Sequence, residues 1–118
     1  MYNYRQNINN LCNIQSYEKF QFTLSTERSR ADRNKQQFSV LVCEVDFEST
    51  DIATTIQFVN QISTCIRAYD EIGWFNKKSI GLLLCDTTNE GAKRIIDEFK
   101  QVNDINSHVG NYEIYVYP

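Results

Sequence analysis

The feature that most constrains the fold is a nearly continuous apolar run in the first half of the chain. Residues 37–46 read Gln-Phe-Ser-Val-Leu-Val-Cys-Glu-Val-Asp and are rich in β-branched and aromatic residues. A strand with one face in water alternates apolar and polar residues, whereas a strand covered on both faces is apolar throughout. The run therefore predicts a central β-strand with protein on both of its faces.

Helical patterns lie on both sides of this strand. Residues 17–34 carry apolar side chains on one face and charged side chains on the others. The inner face of this first helix is predicted to be Phe20, Leu24 and Ala31. A second amphipathic helix follows the strand, and the polar residues 49–51 are its N-cap candidates. Its predicted buried stripe is Ile52, Ile56, Val59, Ile62, Ile66 and Tyr69.

The rest of the chain predicts a β-hairpin, a third helix and a last strand. The hairpin arms are residues 71–76 and 79–85, the helix is about 90–102, and a loop at 103–110 leads to a strand at 112–117. The inner face of the third helix is predicted to be Ala92, Ile95, Ile96 and Phe99. After the leading helix the order is β-α-β-β-α-β, which is the ferredoxin-like order.

This order predicts an α/β fold, an α+β sandwich with two helices on one face of a four-stranded sheet. We expect the leading helix at the edge of the sheet or against a second copy of the chain. A length of 118 residues suits one domain, which we place at residues 15–118. Residues 1–14 are polar and Asn-rich, and we expect them to form a flexible lead-in.

The composition limits the partners of this domain. A net charge of −3 argues against a nucleic-acid-binding protein. The sequence has no run of 18 apolar residues, and its first residues lack the pattern of a signal peptide. We therefore expect a cytoplasmic protein that is not inserted in a membrane.

Neither the cysteines nor the single histidine indicates a reactive site. The spacing of Cys12, Cys43, Cys65 and Cys85 matches no zinc motif. We interpret them as small core thiols in a reducing compartment, with disulfides or a metal as the alternatives. His108 has neither a second histidine nor a nucleophile pattern to act with. We therefore predict no catalytic residue, no bound metal and no other cofactor.

Three stretches, taken in order, resemble the GGDEF domain, which is the fold of diguanylate cyclases. Residues 27–46 resemble the family's opening helix and its strand ending in Asp-x-Asp. The stretch Ile-Arg-Ala-Tyr-Asp at 66–70 is similar to the family's Leu-Arg-x-x-Asp. The stretch Asn-Lys-Lys-Ser-Ile at 76–80 stands where the family has its Gly-Gly-Asp-Glu-Phe hairpin. The resemblance covers about residues 17–117 and implies the nucleotide-cyclase type of ferredoxin-like fold.

Two further stretches resemble one particular version of the GGDEF domain. Residues 67–74 and 86–92 look like the degenerate GGDEF domain found beside sugar transferases in bacterial polysaccharide biosynthesis. The degenerate version implies loss of the activity of the family.

The resemblance also implies a metal site that is incomplete in this chain. Cyclisation of GTP needs a divalent metal, which carboxylates hold. In active members one ligand comes from the first Asp of Asp-x-Asp and another from the acidic residue of the hairpin. Glu44 and Asp46 stand at the two acidic strand positions, but Lys78 and Ser79 replace the acidic pair of the hairpin. Lysine puts positive charge where a cation would bind, so we interpret Glu44 and Asp46 as vestigial metal positions.

The hairpin itself has lost its glycines. Asn76 and Lys77 occupy these places, where only glycine lets the backbone approach a phosphate closely. Asparagine tolerates the left-handed conformation, so we still expect the turn to form. The family's nucleotide-binding stretch after the first strand is also missing from residues 47–54. We interpret residues 76–79 as a vestigial hairpin. It is either a solvated turn, or a site where Lys77 and Lys78 attract an anion or an acidic partner.

Arg67 and Asp70 keep the spacing of the family's inhibitory site, where cyclic di-GMP binds. A guanidinium can clamp a phosphate or the edge of guanine, and a carboxylate can accept from guanine N–H groups. The pair also suits a helix end that enters a strand, where Arg stabilises the helix dipole and Asp binds local amides. Both interpretations remain open on the sequence.

The resemblance and its departures together predict a catalytically inactive GGDEF-like domain. Its role would be regulatory or in protein interaction, linked to exopolysaccharide or cyclic di-GMP signalling. The candidate partners are a protein, an adjoining domain or a second copy of the chain. The alternative is a receptor for cyclic di-GMP or another nucleotide that uses Arg67 and Asp70. A residual GTP-processing cyclase is the third hypothesis.

Overall fold

The structure is a computed structural model that describes residues 12–46 and 52–118. The helices are α1 (Tyr17–Asn34), α2 (Ile52–Cys65), α3 (Asn89–Gln101) and the short α4 (Asn103–Asn106). The strands are β1 (Phe38–Val45), β2 (Glu71–Trp74), β3 (Ser79–Cys85) and β4 (Val109–Tyr117). The predicted element order is confirmed. The predicted loop at 103–110 is wrong, because this segment contains α4 and the beginning of β4.

The four strands form one antiparallel sheet in the order β2-β3-β1-β4. β1 lies in the middle, with Val42 opposite Gly81 of β3 and opposite Glu113 of β4. This confirms the ferredoxin-like fold and the central position of the apolar strand. The first hairpin arm ends at Trp74, two residues earlier than predicted, so the tip spans residues 75–78.

One face of the sheet packs against α2 and α3 and forms the larger core. Because successive strand residues point to opposite faces, this core takes alternate residues of β1 and β3. Its buried members from these strands are Leu41, Cys43, Ile80, Leu82 and Leu84. From the helices it takes Phe58, Val59, Ile62, Ala92 and Phe99.

The predicted stripe of the second helix is wrong at its end. Helix α2 ends at Cys65, so the helical spacing no longer applies to Tyr69, whose side chain is 56% exposed. Within the helix, Thr55 and Phe58 are buried, whereas Ile52 and Ile56 are only partly buried. The N-cap predicted at residues 49–51 lies outside the described residues.

The opposite face of the sheet packs against α1. Phe20, Leu24 and Ala31 form a second cluster with the remaining β1 side chains, as the apolar run predicted. The structure thus places α1 over a face of the sheet, in contact with the edge strand β2, and this packing buries its apolar residues within the chain itself. Gly73 and Gly81 make this packing possible, because a Cβ at either position would collide with the ring of Phe20.

Local signals set the helix ends. The hydroxyl of Ser16 accepts from the backbone N–H of Lys19 at the start of α1, at 3.2 Å. Lys35 ends that helix in the left-handed conformation, with φ 55°, and donates its N–H to Ala31 O. Thr88 caps α3 by accepting from the N–H of Gly91, at 3.1 Å. These caps satisfy backbone groups that a helix end otherwise leaves without partners.

The segment before α1 is anchored to the domain from Ile14 onwards. Ile14 is 4% exposed in the larger core, and Gln15 forms a parallel bridge with Gly73 of β2. Residues 1–11 of the predicted lead-in lie outside the described residues. Within the described residues, no helix has the length and apolar character that a membrane span needs.

Candidate functional site

Arg67 and Asp70 lie in the turn between α2 and β2, and the structure brings them together. The guanidinium Nε donates to Asp70 Oδ2 at 3.2 Å, and the backbone N–H of Arg67 donates to the same oxygen at 3.0 Å. The Asp70 side chain is 0% exposed, whereas that of Arg67 is 43% exposed. A buried carboxylate needs such partners, because burying an unpaired charge is costly.

The pair is also joined to the end of β3. Asp70 Oδ1 accepts from the backbone N–H of Cys85 at 3.1 Å. The Arg67 Nη2 donates to the carbonyl of Cys85 and to the hydroxyl of Thr87, both at 2.6 Å. Thr87 is buried, and its own carbonyl accepts from Ser39 of β1 at 2.6 Å. The Arg67–Asp70 pair thus connects the α2–β2 turn to the β3–α3 turn.

These contacts limit which atoms of Arg67 and Asp70 are available to a ligand. Both carboxylate oxygens of Asp70 and two guanidinium nitrogens of Arg67 are occupied by groups of the chain itself. The same guanidinium also lies over the ring of Tyr69, with its carbon atom 4.7 Å from the ring centroid. The local interpretation of the pair, a helix end tied to neighbouring amides, therefore accounts for each of these contacts.

The hairpin tip closes through its own polar groups. The side chain of Asn76 accepts from the backbone N–H of Lys78 at 2.8 Å, and Phe75 donates its N–H to Ser79 O at 3.0 Å. The carbonyl of Lys78 accepts from the N–H of Val45, at 2.8 Å, which fixes the tip against the end of β1. Asn76 is not left-handed, because the non-glycine residues with positive φ in the described chain are Lys35 and Asp86. The turn forms as predicted without the conformation expected of asparagine.

Glu44 and Asp46, which the sequence analysis interprets as vestigial metal positions, lie at the end of β1, next to this tip. Glu44 is exposed and pairs across the sheet with Ser79 and with Asn111. Asp46 is exposed, and its Oδ1 lies 3.4 Å from His108 Nδ1. Across residues 12–46 and 52–118, no group of three or more His, Cys, Asp or Glu side chains is placed to hold a metal. The predicted nucleotide-stretch positions 47–51 lie outside these residues.

The sequence analysis did not predict a small polar cavity that lies beside the tip. It has a volume of about 140 Å³, and its lining includes Glu44, Asn76, Glu113 and Tyr115. The hydroxyl of Tyr115 donates to Glu113 Oε2 at 2.5 Å, which raises the pKa of Tyr115. Glu44 and Glu113 meet here because both strands direct alternate residues to the α1 side of the sheet. This juxtaposition depends on strand register, which the sequence does not reveal.

Comparison with solved structures identifies the fold. The GGDEF domain of YfiN (TpbB) from Pseudomonas aeruginosa aligns at a TM-score of 0.69 and 19% identity, over 89% of this chain and 77% of that one. The GGDEF domain of DgcB from Caulobacter crescentus, in complex with c-di-GMP, aligns at 0.68 and 10% identity, over 90% and 70%. Diguanylate cyclase SiaD from Pseudomonas aeruginosa, in complex with its activator SiaC, aligns at 0.67 and 16% identity, over 87% and 45%.

The sequence comparisons add no closer relative. No protein-family model matches the chain, and no curated protein matches it. The chain spans less than half the length of the SiaD chain. At these identities the structural likeness shows the fold, and this chain has the fold of GGDEF domains.

Proposed function

We propose that this GGDEF-fold domain is catalytically inactive and acts as a regulatory or protein-interaction domain. The observation that carries the proposal is the hairpin tip. Asn76, Lys77, Lys78 and Ser79 occupy the position of the family's signature, and the tip is closed by the Asn76 side chain. Lys77 and Lys78 are exposed residues, and their positive charges oppose the binding of a cation at the place where active members of the family hold their metal.

The environment of Glu44 and Asp46 supports the same conclusion. Glu44 and Asp46 are the acidic residues that stand at the metal positions implied by the resemblance, and each is exposed. Asp46 is engaged with His108, and Glu44 faces the cavity that also contains Glu113. Two exposed carboxylates beside two lysines are a weak site for the Mg²⁺ that phosphoryl chemistry needs.

A role in protein interaction fits the comparisons and the resemblance. SiaD, which shares this fold, is in complex with an activator protein. The stretches at 67–74 and 86–92 resemble degenerate domains beside sugar transferases, which points to a link with exopolysaccharide or cyclic di-GMP signalling. In this proposal the domain is cytoplasmic, and it binds an adjoining domain, another protein or a second copy of the chain.

Thermal unfolding with and without nucleotide tests this proposal. A ligand that prefers the folded state raises the melting temperature, by an amount that grows with its concentration above Kd. We expect no rise with millimolar GTP and Mg²⁺ or Mn²⁺. A rise that requires the metal and disappears in Glu44→Gln would overturn the proposal, because it would show an intact nucleotide site.

A second candidate function is a receptor for cyclic di-GMP. Two observations favour it: DgcB is in complex with c-di-GMP, and Arg67 remains 43% exposed above the exposed ring of Tyr69. Calorimetric titration with cyclic di-GMP, beside Arg67→Ala and a control of its folding, separates the two functions. Micromolar binding that is lost in a folded Arg67→Ala variant would establish the receptor. No heat up to a few hundred micromolar would leave the pair with its structural role.

A further inference from the structure

Strand β4 ends the sheet with an edge that no described residue pairs. It is nine residues long, and β1 occupies its inner edge. Its sequence is rich in aromatic and β-branched residues, and Tyr115 and Val116 are 51% and 37% exposed. Natural sheets protect such edges with lysine, proline, bulges or covering segments, because an open edge pairs readily with another strand.

A groove of about 610 Å³ runs along this edge on the side of α3. Its α3 wall is formed by Lys93, Ile96, Asp97 and Lys100. The intervals between these four residues follow the i, i+3, i+4, i+7 pattern, so they form one stripe along the helix. The opposite wall includes Tyr112 and Ile114 of β4. The groove thus combines apolar side chains with charges of both signs and a strand edge that no described residue pairs.

Several polar groups of this groove form no ion pair or hydrogen bond with any residue in the described ranges 12–46 and 52–118. None of the ion pairs among the described residues involves Lys93, Asp97 or Lys100. The hydroxyl of Tyr112 is buried and makes no hydrogen bond with any described group, and burial raises the pKa of Tyr112 to about 12. A surface that alternates Lys, Asp and Lys is complementary to another copy of itself, because each sign finds the opposite sign across a two-fold axis.

We propose that a second copy of the chain occupies this groove, with the two β4 strands pairing antiparallel about a two-fold axis. The inference rests on the proposed function, for which it names the interaction surface and the partner. The sheets of the two copies then join into one sheet, and the groove of each copy faces the α3 stripe of the other. Pairing buries the apolar edge at Ile114 and Val116 and joins Asp97 of one copy with lysines of its partner.

The spacing of the elements fits this arrangement. Helix α3 packs over β1 and β4, and adjacent strands lie about 4.8 Å apart. A two-fold axis between the two β4 strands then places the two α3 helices about 10 Å apart, which is a normal distance for packed helices. An acidic foreign peptide would match the lysines but would leave Asp97 unpaired, so the second copy accounts for more of the surface.

Sedimentation of the 118-residue chain and its charge-reversed variants tests the proposal. We expect the wild-type chain to be dimeric at about 100 µM, and Asp97→Lys and Lys100→Asp each to raise the dimer Kd at least about tenfold by like-charge repulsion. An equimolar mixture of the two variants should form a mixed dimer, because the lysines of one variant then face the aspartates of the other. Lys19→Asp on α1 reverses one exposed charge away from the groove and should leave the Kd unchanged.

Every other outcome overturns the proposal. A monomeric wild-type chain, or a dimer that neither reversal weakens, excludes this interface and leaves the groove to another protein. A Val116→Lys variant provides a check on the strand edge, and it should be monomeric with an unchanged circular dichroism spectrum. Failure here is distinct from failure of the proposed function, because nucleotide binding and GTP turnover are measured independently of the oligomeric state.

Discussion

The carboxylate of Asp70 accepts a hydrogen bond from the backbone N–H of Cys85, at 3.1 Å, across fifteen residues of chain. This contact joins the turn before β2 to the end of β3, and the guanidinium of Arg67 reinforces it by donating to the carbonyl of Cys85 at 2.6 Å. The Arg-x-x-Asp spacing that suggests a ligand site therefore has a place in the architecture of the domain.

The first prediction concerns the stability that this pair contributes. Asp70→Ala should lower the free energy of unfolding by about 2–4 kcal/mol, because it leaves buried N–H groups without an acceptor. Arg67→Ala should cost less, about 1–2 kcal/mol, because its side chain is partly exposed. Urea unfolding measures both values.

Arg30→Ala is the matched control, because it removes a guanidinium of similar exposure from its ion pair with Glu27, which has an N–O distance of 2.6 Å. The Glu27 carboxylate keeps some access to water, with 12% of its side chain exposed, so this variant should lower stability less than Asp70→Ala does. If Asp70→Ala is no more destabilising than Arg30→Ala, the structural role of the pair is wrong.

The second prediction concerns the contact of α1 with the sheet. A Cβ added at Gly73 would lie 2.5 Å from Phe20 Cβ and closer still to the ring. Gly73→Ala should therefore destabilise the domain by about 1–3 kcal/mol or more, as overpacking does. Thermal and urea unfolding would show it.

Gly110→Ala provides the control, because its nearest neighbour would be Glu44 Oε1 at 3.6 Å. We expect a change within about 0.5 kcal/mol there. Equal effects at the two glycines would contradict the packing of α1 against this face of the sheet.

The third prediction concerns the hydroxyl of Tyr112, which makes no hydrogen bond with a described group. Tyr112→Phe removes a buried polar atom without a partner, so stability should be unchanged or rise by about 1 kcal/mol. Tyr117→Phe removes a hydroxyl that donates to Asp32 at 2.9 Å and should lower stability slightly. Urea unfolding at low protein concentration compares the two, and a clear loss in Tyr112→Phe would show an unrecognised partner.

The fourth prediction concerns Cys43, which is fully buried in β1 and whose pKa is raised by burial from 9.0 to about 12. The folded state thus favours the neutral thiol, and this contribution is complete below pH 9. As pH rises from 9 towards 12 the unfolded chain loses its proton first, and stability falls by about 1.4 kcal/mol per pH unit.

Cys43→Ala isolates that contribution. Alanine cannot ionise, so the stability difference between wild type and variant should shrink as pH rises through this range. Urea unfolding between pH 7 and 11 gives the difference directly. Parallel curves for the two proteins would contradict the burial of an ionisable thiol at this position.

Most of the fold could be predicted from the sequence because its signals are local. The apolar run at 37–46 specifies a doubly covered strand, and helical spacing specifies α2 and α3. The location of α1 depends on residues that are far apart in the sequence, since the ring of Phe20 fits only where Gly73 and Gly81 leave space. These two glycines in predicted strands could have indicated close packing of a helix, but only with knowledge of the strand register.

Only the local part of the candidate site could be predicted from the sequence. Arg67 and Asp70 are three residues apart, so their contact follows from local geometry. Their partners Cys85 and Thr87 come from another strand end and could not be inferred from spacing. The cavity that joins Glu44 to Glu113 likewise depends on how β4 pairs with β1.

The central claim is that this GGDEF-fold domain has no cyclase activity, and a turnover assay tests it most directly. The chain at high micromolar concentration is incubated with GTP and Mg²⁺ or Mn²⁺, and cyclic di-GMP is quantified by chromatography beside the Glu44→Gln variant. We predict no product above the protein-free reaction for either protein. Cyclic di-GMP formed by the wild-type chain and lost in Glu44→Gln would contradict the account.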